Sequence, residues 1–220
     1  MQAQQLFELK TVMTFAVSAH KQKNEDYVNY GTVTNKSIVQ THLGLLEDSR
    51  AVFVDHVSQE CADIAEQIIQ YYKGLTFKAM GNKINDFEQK VLGLINCKLV
   101  DRRDIGVIAS LPKAYFRAVK RDATDTHMRK LSTTSIHIGT QGEDVQGTIN
   151  ILSCSFIQRL QCHVVNAEMQ GNIVCFFTKH PAEHWGETCE IKGKVKRHQT
   201  SKFHGGKETV LNYVKTVDKV

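Results

Sequence analysis

The sequence predicts an α+β protein: a mainly helical region over residues 1–130, followed by a five-stranded β-barrel over residues 131–220. Three observations predict it. Between residues 52 and 72 apolar side chains recur every three or four positions, the period of a helix with one buried face. After a turn region punctuated by Gly139, Gly142 and Gly147, short β-like runs follow from Thr148 onward. Between these regions Asp122–Thr134 is polar and has no period, which reads as a linker.

Residues 1–36 are ambiguous. Leu6-Phe7 and Val12, Met13, Phe15 and Val17 suit either a helix or a strand, and Asn24–Gly31 reads as a connection. Lys36–Glu47 carries Ile38, Val39, Leu43, Leu45 and Leu46 at helical spacing, weakened by Gly44. A stronger helix follows from Val52, with Val54, Val57, Cys61, Ile64, Ala65, Ile68, Ile69 and Tyr72 on one face and Gly74 placed to end it. Asp86 is a candidate cap for the next helix, with Phe87, Val91, Leu92, Leu94 and Ile95 facing inward. Asp101 opens a third over DRRDIGVIASL, and Pro112 a fourth over KAYFRAVKR. Arg102, Arg103, Lys113, Arg117, Lys120 and Arg121 on these two segments suggest a helix-turn-helix. The interspersed Asp101, Asp104 and Asp122 favour a structural helix pair instead.

The β-like runs are Thr148–Gln158, Leu160–Glu168, Asn172–Thr178, Thr188–His198 and Glu208–Val217. Met169–Asn172 reads as a hairpin turn, and Pro181–Gly186 as a loop or short helix between the third and fourth runs. Five strands with an insertion at that place match the plan of an OB-like barrel.

The formal net charge of +5 is unevenly placed. Residues 188–220 hold 8 Lys and Arg against 3 Asp and Glu, whereas residues 1–187 hold 20 of each. In the run TCEIKGKVKRH, Cys189, Ile191, Gly193 and Val195 share one strand face, and Glu190, Lys192, Lys194, Lys196 and His198 the other. The lysines therefore stand about 7 Å apart along one surface, as a track for a phosphate backbone. Arg197, Lys202, Lys207 and Lys215 lie nearby in sequence. Lysines that only guard an edge strand against pairing are the alternative. Phe203 and His204 occupy the Gly-flanked loop between the fourth and fifth strands, and Phe156, Phe176 and Tyr213 are further rings on which bases could stack. Phe176 and Phe177 are adjacent, so one of them belongs to the core and the other does not.

The runs HIGTQGEDVQGTINI, GNIVCFF, GETCEIKGKVKRH and GGKETVLNYVK together resemble a C-terminal module of phage-encoded DNA-metabolism proteins. The module reads as a His/Tyr-Val-Gly-x-x-Gly opening, a Gly-Asn-x-x-x-aromatic strand, a Lys-Gly-x-Val-Lys-x-His strand and a Thr-x-Leu strand. The resemblance covers residues 136–217 and implies an OB-like barrel acting on nucleic acid in phage replication, recombination or transcription. YYKGLTFKAM and IGVIASLPKAY resemble the part that precedes the module in some such proteins. Tyr213 stands where the last strand often carries Arg, and Phe176 where Trp is usual.

Several classes find no support. The six cysteines form no CxxC pair, and His180 with His184 lacks the glutamate of an HExxH frame, so no metal and no cofactor is expected. No Walker loop, GxSxG or compact carboxylate cluster marks an enzyme. The Met1 start lacks a secretory signal and no apolar run is long enough to span a bilayer, which predicts a cytoplasmic protein without a membrane partner. The expectation is a non-catalytic single-stranded DNA-binding protein of open oligomeric state, though lysines and rings serve RNA equally well. The alternatives are an adaptor recruiting replication, recombination or transcription proteins through its helical half, or a DNA-processing enzyme without a recognisable signature.

Overall fold

The computed structural model describes residues 5–46, 57–76, 81 and 84–217. The chain divides into two compact units, Met1–Val119 and Lys120–Val220. This boundary precedes the one expected at residue 130.

The first unit is built on α1 (Leu9–Gln22), whose Val12, Met13, Ala16, Val17 and Ala19 are completely buried. Small residues on this helix let α2 (Asn35–His42) and α3 (Gln59–Gly74) pack closely against it. The residues before α1 are a strand, β1 (Leu6–Glu8), paired antiparallel with β2 (Leu99–Asp101). The segment expected to be helical over Lys36–Glu47 ends at His42, and Gly44 follows with a positive φ of 66°. Residues 47–56, which include Val52 and Val54, lie outside the described residues, as do residues 77–80 of the YYKGLTFKAM run.

The cap of α4 (Asp86–Ile95) is Asn85, not Asp86. Asn85 Oδ1 accepts from the Glu88 N–H at 2.9 Å while the Glu88 carboxylate accepts from the Asn85 N–H at 2.9 Å, closing a capping box. The third and fourth expected helices are one, α5 (Ile105–Thr134), with Pro112 inside it. An interior proline costs about 3 kcal/mol. Burial of Ile105, Ile108, Ala109 and Leu111 in the first turns offsets it. A single helix has no turn, so neither the helix-turn-helix nor the helix pair is present.

The expected linker is also helical. Its hydroxyls bond back within the helix: Thr124 Oγ1 donates to Lys120 O at 2.9 Å and Thr126 Oγ1 to Asp122 O at 2.8 Å. An exposed helix needs no apolar stripe, so its sequence shows no period.

Two imidazoles of the first unit are withdrawn from water, His20 buried and His42 half-buried. His20 stacks on Phe116 with ring centroids 5.5 Å apart and His42 on Phe15 at 4.6 Å. Burial lowers both below the usual imidazole value, against the opposing pull of Asp26 and Glu25 on His20. Their contribution to stability is therefore full above about pH 6.5 and falls as the pH drops toward their lowered folded values, because the unfolded chain protonates first. Melting temperature should fall between about pH 7.5 and pH 5.5, and His20→Phe with His42→Phe should flatten that dependence. A slope unchanged in the double variant would exclude these histidines as its origin.

The second unit holds a closed barrel of β3 (Asp144–Ile157), β4 (Cys162–Met169), β5 (Asn172–Thr178), β6 (Thr188–Thr200) and β7 (Lys207–Thr216), in the order β3-β4-β5-β7-β6. All pairs are antiparallel except β5 with β7. This is an OB-like barrel. A short helix, α6 (Ala182–Trp185), connects β5 to β6. Its Trp185 closes the core edge-to-face on Phe176 with centroids 5.0 Å apart, among Ile149, Val165, Met169, Ile191, Val195 and Leu211. The C-terminal end of α5 and the residues after it lie against β5 and β7. Ser135 Oγ donates to Lys207 O at 2.7 Å and accepts from the Ile173 N–H at 2.9 Å, and the Ile138 N–H donates to Thr209 Oγ1 at 2.9 Å. Among the described residues no helix is long and apolar enough to cross a membrane.

Candidate nucleic-acid interface

The alternation read in β6 is present in the fold. Ile191, Gly193 and Val195 are buried while Glu190, Lys192, Lys194 and Lys196 are exposed. After Val195 the pattern breaks at a bulge: Val195 pairs with Leu211 and Arg197 with Val210, which leaves Lys196 unpaired. Lys196, Arg197 and His198 are consequently exposed in succession.

Register identifies the neighbours of each lysine. Lys192 lies between Gln146 of β3 and Lys215 of β7, and Lys194 between Asp144 and Asn212. Lys194 Nζ reaches Asp144 Oδ1 at 3.7 Å across the surface. Lys192 and Lys215 are directly opposed, with Cβ atoms about 5 Å apart, and like charges so placed repel. An anion between them would turn that repulsion into attraction.

A second bulge lies beside this pair. Gly193 of β6 opposes two residues of β7, Tyr213 and Val214. Gly193 fits because a Cβ there would meet Val214 Cγ2 at 3.0 Å. Tyr213 takes a left-handed φ of 54°, costly for a bulky side chain, and its ring is 80% exposed. Backbone strain thus holds a ring in solvent next to an unbalanced lysine pair. Tyr213→Gly should stabilise the barrel by about 1 kcal/mol while weakening oligonucleotide binding by about 1–3 kcal/mol. Thermal melts and fluorescence titration of the same variant check both signs. Loss of stability would show that Tyr213 is held for packing.

The loop joining β6 and β7 carries Lys202 and Phe203, and the Phe203 ring is 99% exposed. His204 faces the other way. Its Nδ1 accepts from the Gly206 N–H at 3.3 Å, so the ring proton sits on Nε2, which lies 3.5 Å from Glu208 Oε2. Gln199 Nε2 donates to the other oxygen of Glu208. His204 therefore anchors the loop with its ring largely buried, contrary to its placement among the contact residues. Gly206 lies so close to α5 that a Cβ there would stand 2.5 Å from Ser132 Cβ.

One ring is corrected. Phe176 is completely buried, and Phe177 is the exposed member of the pair, at 48%. Phe156 is exposed against His163, at the β3–β4 turn. Because β5 runs parallel to β7 and its Thr178 end pairs with that turn, Phe156 lies at the opposite end of the barrel from the Phe203 loop. His198 is exposed but stacked on His137, centroids 4.4 Å apart, and its Nε2 lies 3.3 Å from Ile138 O.

The fold thus gathers Lys192, Lys194, Lys196, Arg197, Tyr213 and Lys215 on the outer surface of β6 and β7, with Lys202, Phe203 and Lys207 at the turn end. Sequence reasoning missed Asp144 and Gln146, which flank the lysines only through strand pairing. Among the described residues, no three His, Cys, Asp or Glu side chains come together as a metal set. The Cys175 thiol is pushed up to about 12 by burial, and Cys154 and Cys189 are raised for the same reason. No protein-family model, curated protein or solved structure matches this chain.

Proposed function

We propose that the chain is a non-catalytic single-stranded DNA-binding protein, serving phage replication, recombination or transcription as the resemblance of residues 136–217 implies. The backbone runs along the outer face of β6 and β7, held by Lys192, Lys196, Arg197 and Lys215, and bases stack on Tyr213 and Phe203. The opposed Lys192–Lys215 pair beside the strained, exposed Tyr213 carries this reading. Lys194 contributes less, because Asp144 already balances it. With four cations on phosphates, the log–log salt slope for a single strand is expected near −3 (about −0.7 per phosphate). A labelled oligonucleotide titrated across salt measures it, and affinity independent of salt would overturn the proposal. Competition among single-stranded DNA, duplex DNA and RNA at near-physiological salt then assigns the nucleic acid. Preference for duplex would overturn the single-strand assignment.

A further inference from the structure

The outer surface shared by β3 and β6 leads away from the lysines in regular steps. Outward pairs follow one another as Gln146 with Lys192, Thr148 with Glu190, and Asn150 with Thr188. Thr188 is about 13 Å along the strand from Lys192. Gln146 Nε2 donates to Glu190 Oε1 at 2.9 Å, so the Glu190 carboxylate on this path is already engaged, and Glu187 lines the cleft beyond it.

The path ends in a cleft of about 660 Å³ between α5 and the outer face of β3, lined by Lys120, Thr124, Asn150, Ser153 and Thr188 among others. That volume lies within the range of small-ligand sites. Register in β3 slips between Ile151 and Ser153, leaving Leu152 unpaired in the cleft wall, and bulges of this kind recur beside binding sites. Polar capacity remains there. Thr188 Oγ1 donates to Asn150 Oδ1 at 3.1 Å and Asn166 Nδ2 donates to Ser153 Oγ at 3.0 Å. The Asn150 amide hydrogens and the Ser153 hydroxyl hydrogen are left for a ligand. Ile151 and Leu152 add apolar surface, and Lys120 a cation.

We infer that this cleft is a nucleotide site, taking one unstacked base of the bound strand with a phosphate at Lys120. Amide and hydroxyl groups meet the base edge, and the apolar bulge meets its face. The inference rests on the single-strand reading for its place on the path, but the site has its own chemistry and is testable alone.

Ala123 is exposed on α5 and lines the cleft, so Ala123→Phe fills it without burying a polar group. Oligothymidylates of roughly 4 to 16 nucleotides, the site-size range of one OB barrel, are titrated against the intact protein and this variant. Wild-type affinity should rise once the oligonucleotide is long enough to reach the cleft. Ala123→Phe should lose about tenfold from the longer oligonucleotides, the worth of one or two hydrogen bonds, and nothing from the shortest. Equal affinities of variant and wild type at every length would overturn the inference. Thymidine 5′-monophosphate followed by NMR supplies the independent arm: the Asn150 and Ser153 amides should shift in the wild type and stay still in Ala123→Phe. No shift at either residue also overturns it. If the mononucleotide moves these amides while no oligonucleotide binds, the single-strand reading falls and the nucleotide site stands.

Discussion

Reversing Lys192 and Lys196 together to Glu should lower oligonucleotide affinity by roughly 10²–10⁴-fold while leaving the barrel folded. Each reversal removes an attraction to phosphate and adds a repulsion, about 1–2 kcal/mol apiece at a solvated surface. A third loss comes without mutation, because the carboxylate introduced at position 192 faces Lys215 and neutralises it. That same contact replaces a like-charge cross-strand pair with an opposite one, which favours the fold by about 0.2–1 kcal/mol. Lys196 sits unpaired in its bulge, so its replacement disturbs no ladder. Lys194 is spared, since a carboxylate there would oppose Asp144 and confuse charge with stability. The expected signature is therefore binding lost and melting temperature level or raised. Affinity within threefold of wild type would remove the β6–β7 face from consideration as the interface.

The β6 stripe was legible because a strand exposes its alternation directly: Ile191, Gly193 and Val195 in, Lys192, Lys194 and Lys196 out. Its two bulges were not, because a bulge is a mismatch between two strands and neither strand carries it alone. Tyr213 consequently gained its left-handed backbone, and Lys192 its like-charged partner, from pairing that the sequence does not encode locally. The five-strand plan could be read from runs and turns. The 30-residue α5 could not, since Pro112 signals a start and the polar residues after Arg121 give no apolar stripe. His204 was misplaced for a related reason. A glycine-flanked loop suggests exposure for all its residues, whereas buried Glu208 on the following strand draws the imidazole inward and leaves Lys202 and Phe203 in solvent.

Phe176→Ala should cost about 3–5 kcal/mol, and Phe177→Ala less than about 1 kcal/mol. The two rings are neighbours in sequence and chemically identical, and the pleat alone separates them. Phe176 is completely enclosed, with Val165 opposite it on β4, Leu211 beside it on β7 and Trp185 edge-on. Removing it leaves a phenyl-sized void in a barrel that is closed on every side and has little freedom to collapse. A unit of about this size shifts its melting point by roughly 4–8 °C per kcal/mol, so a fall of more than about 12 °C is expected. Trp185 is the only tryptophan in the chain and touches the deleted ring, so its fluorescence reports this unit without interference from the helical one. Phe177, outward on β5, should leave both the melt and the salt slope as they are. A Phe176→Ala protein that melts like wild type yet binds oligonucleotide poorly would restore Phe176 as a stacking residue, and the inward face of β5 would have to be assigned to solvent.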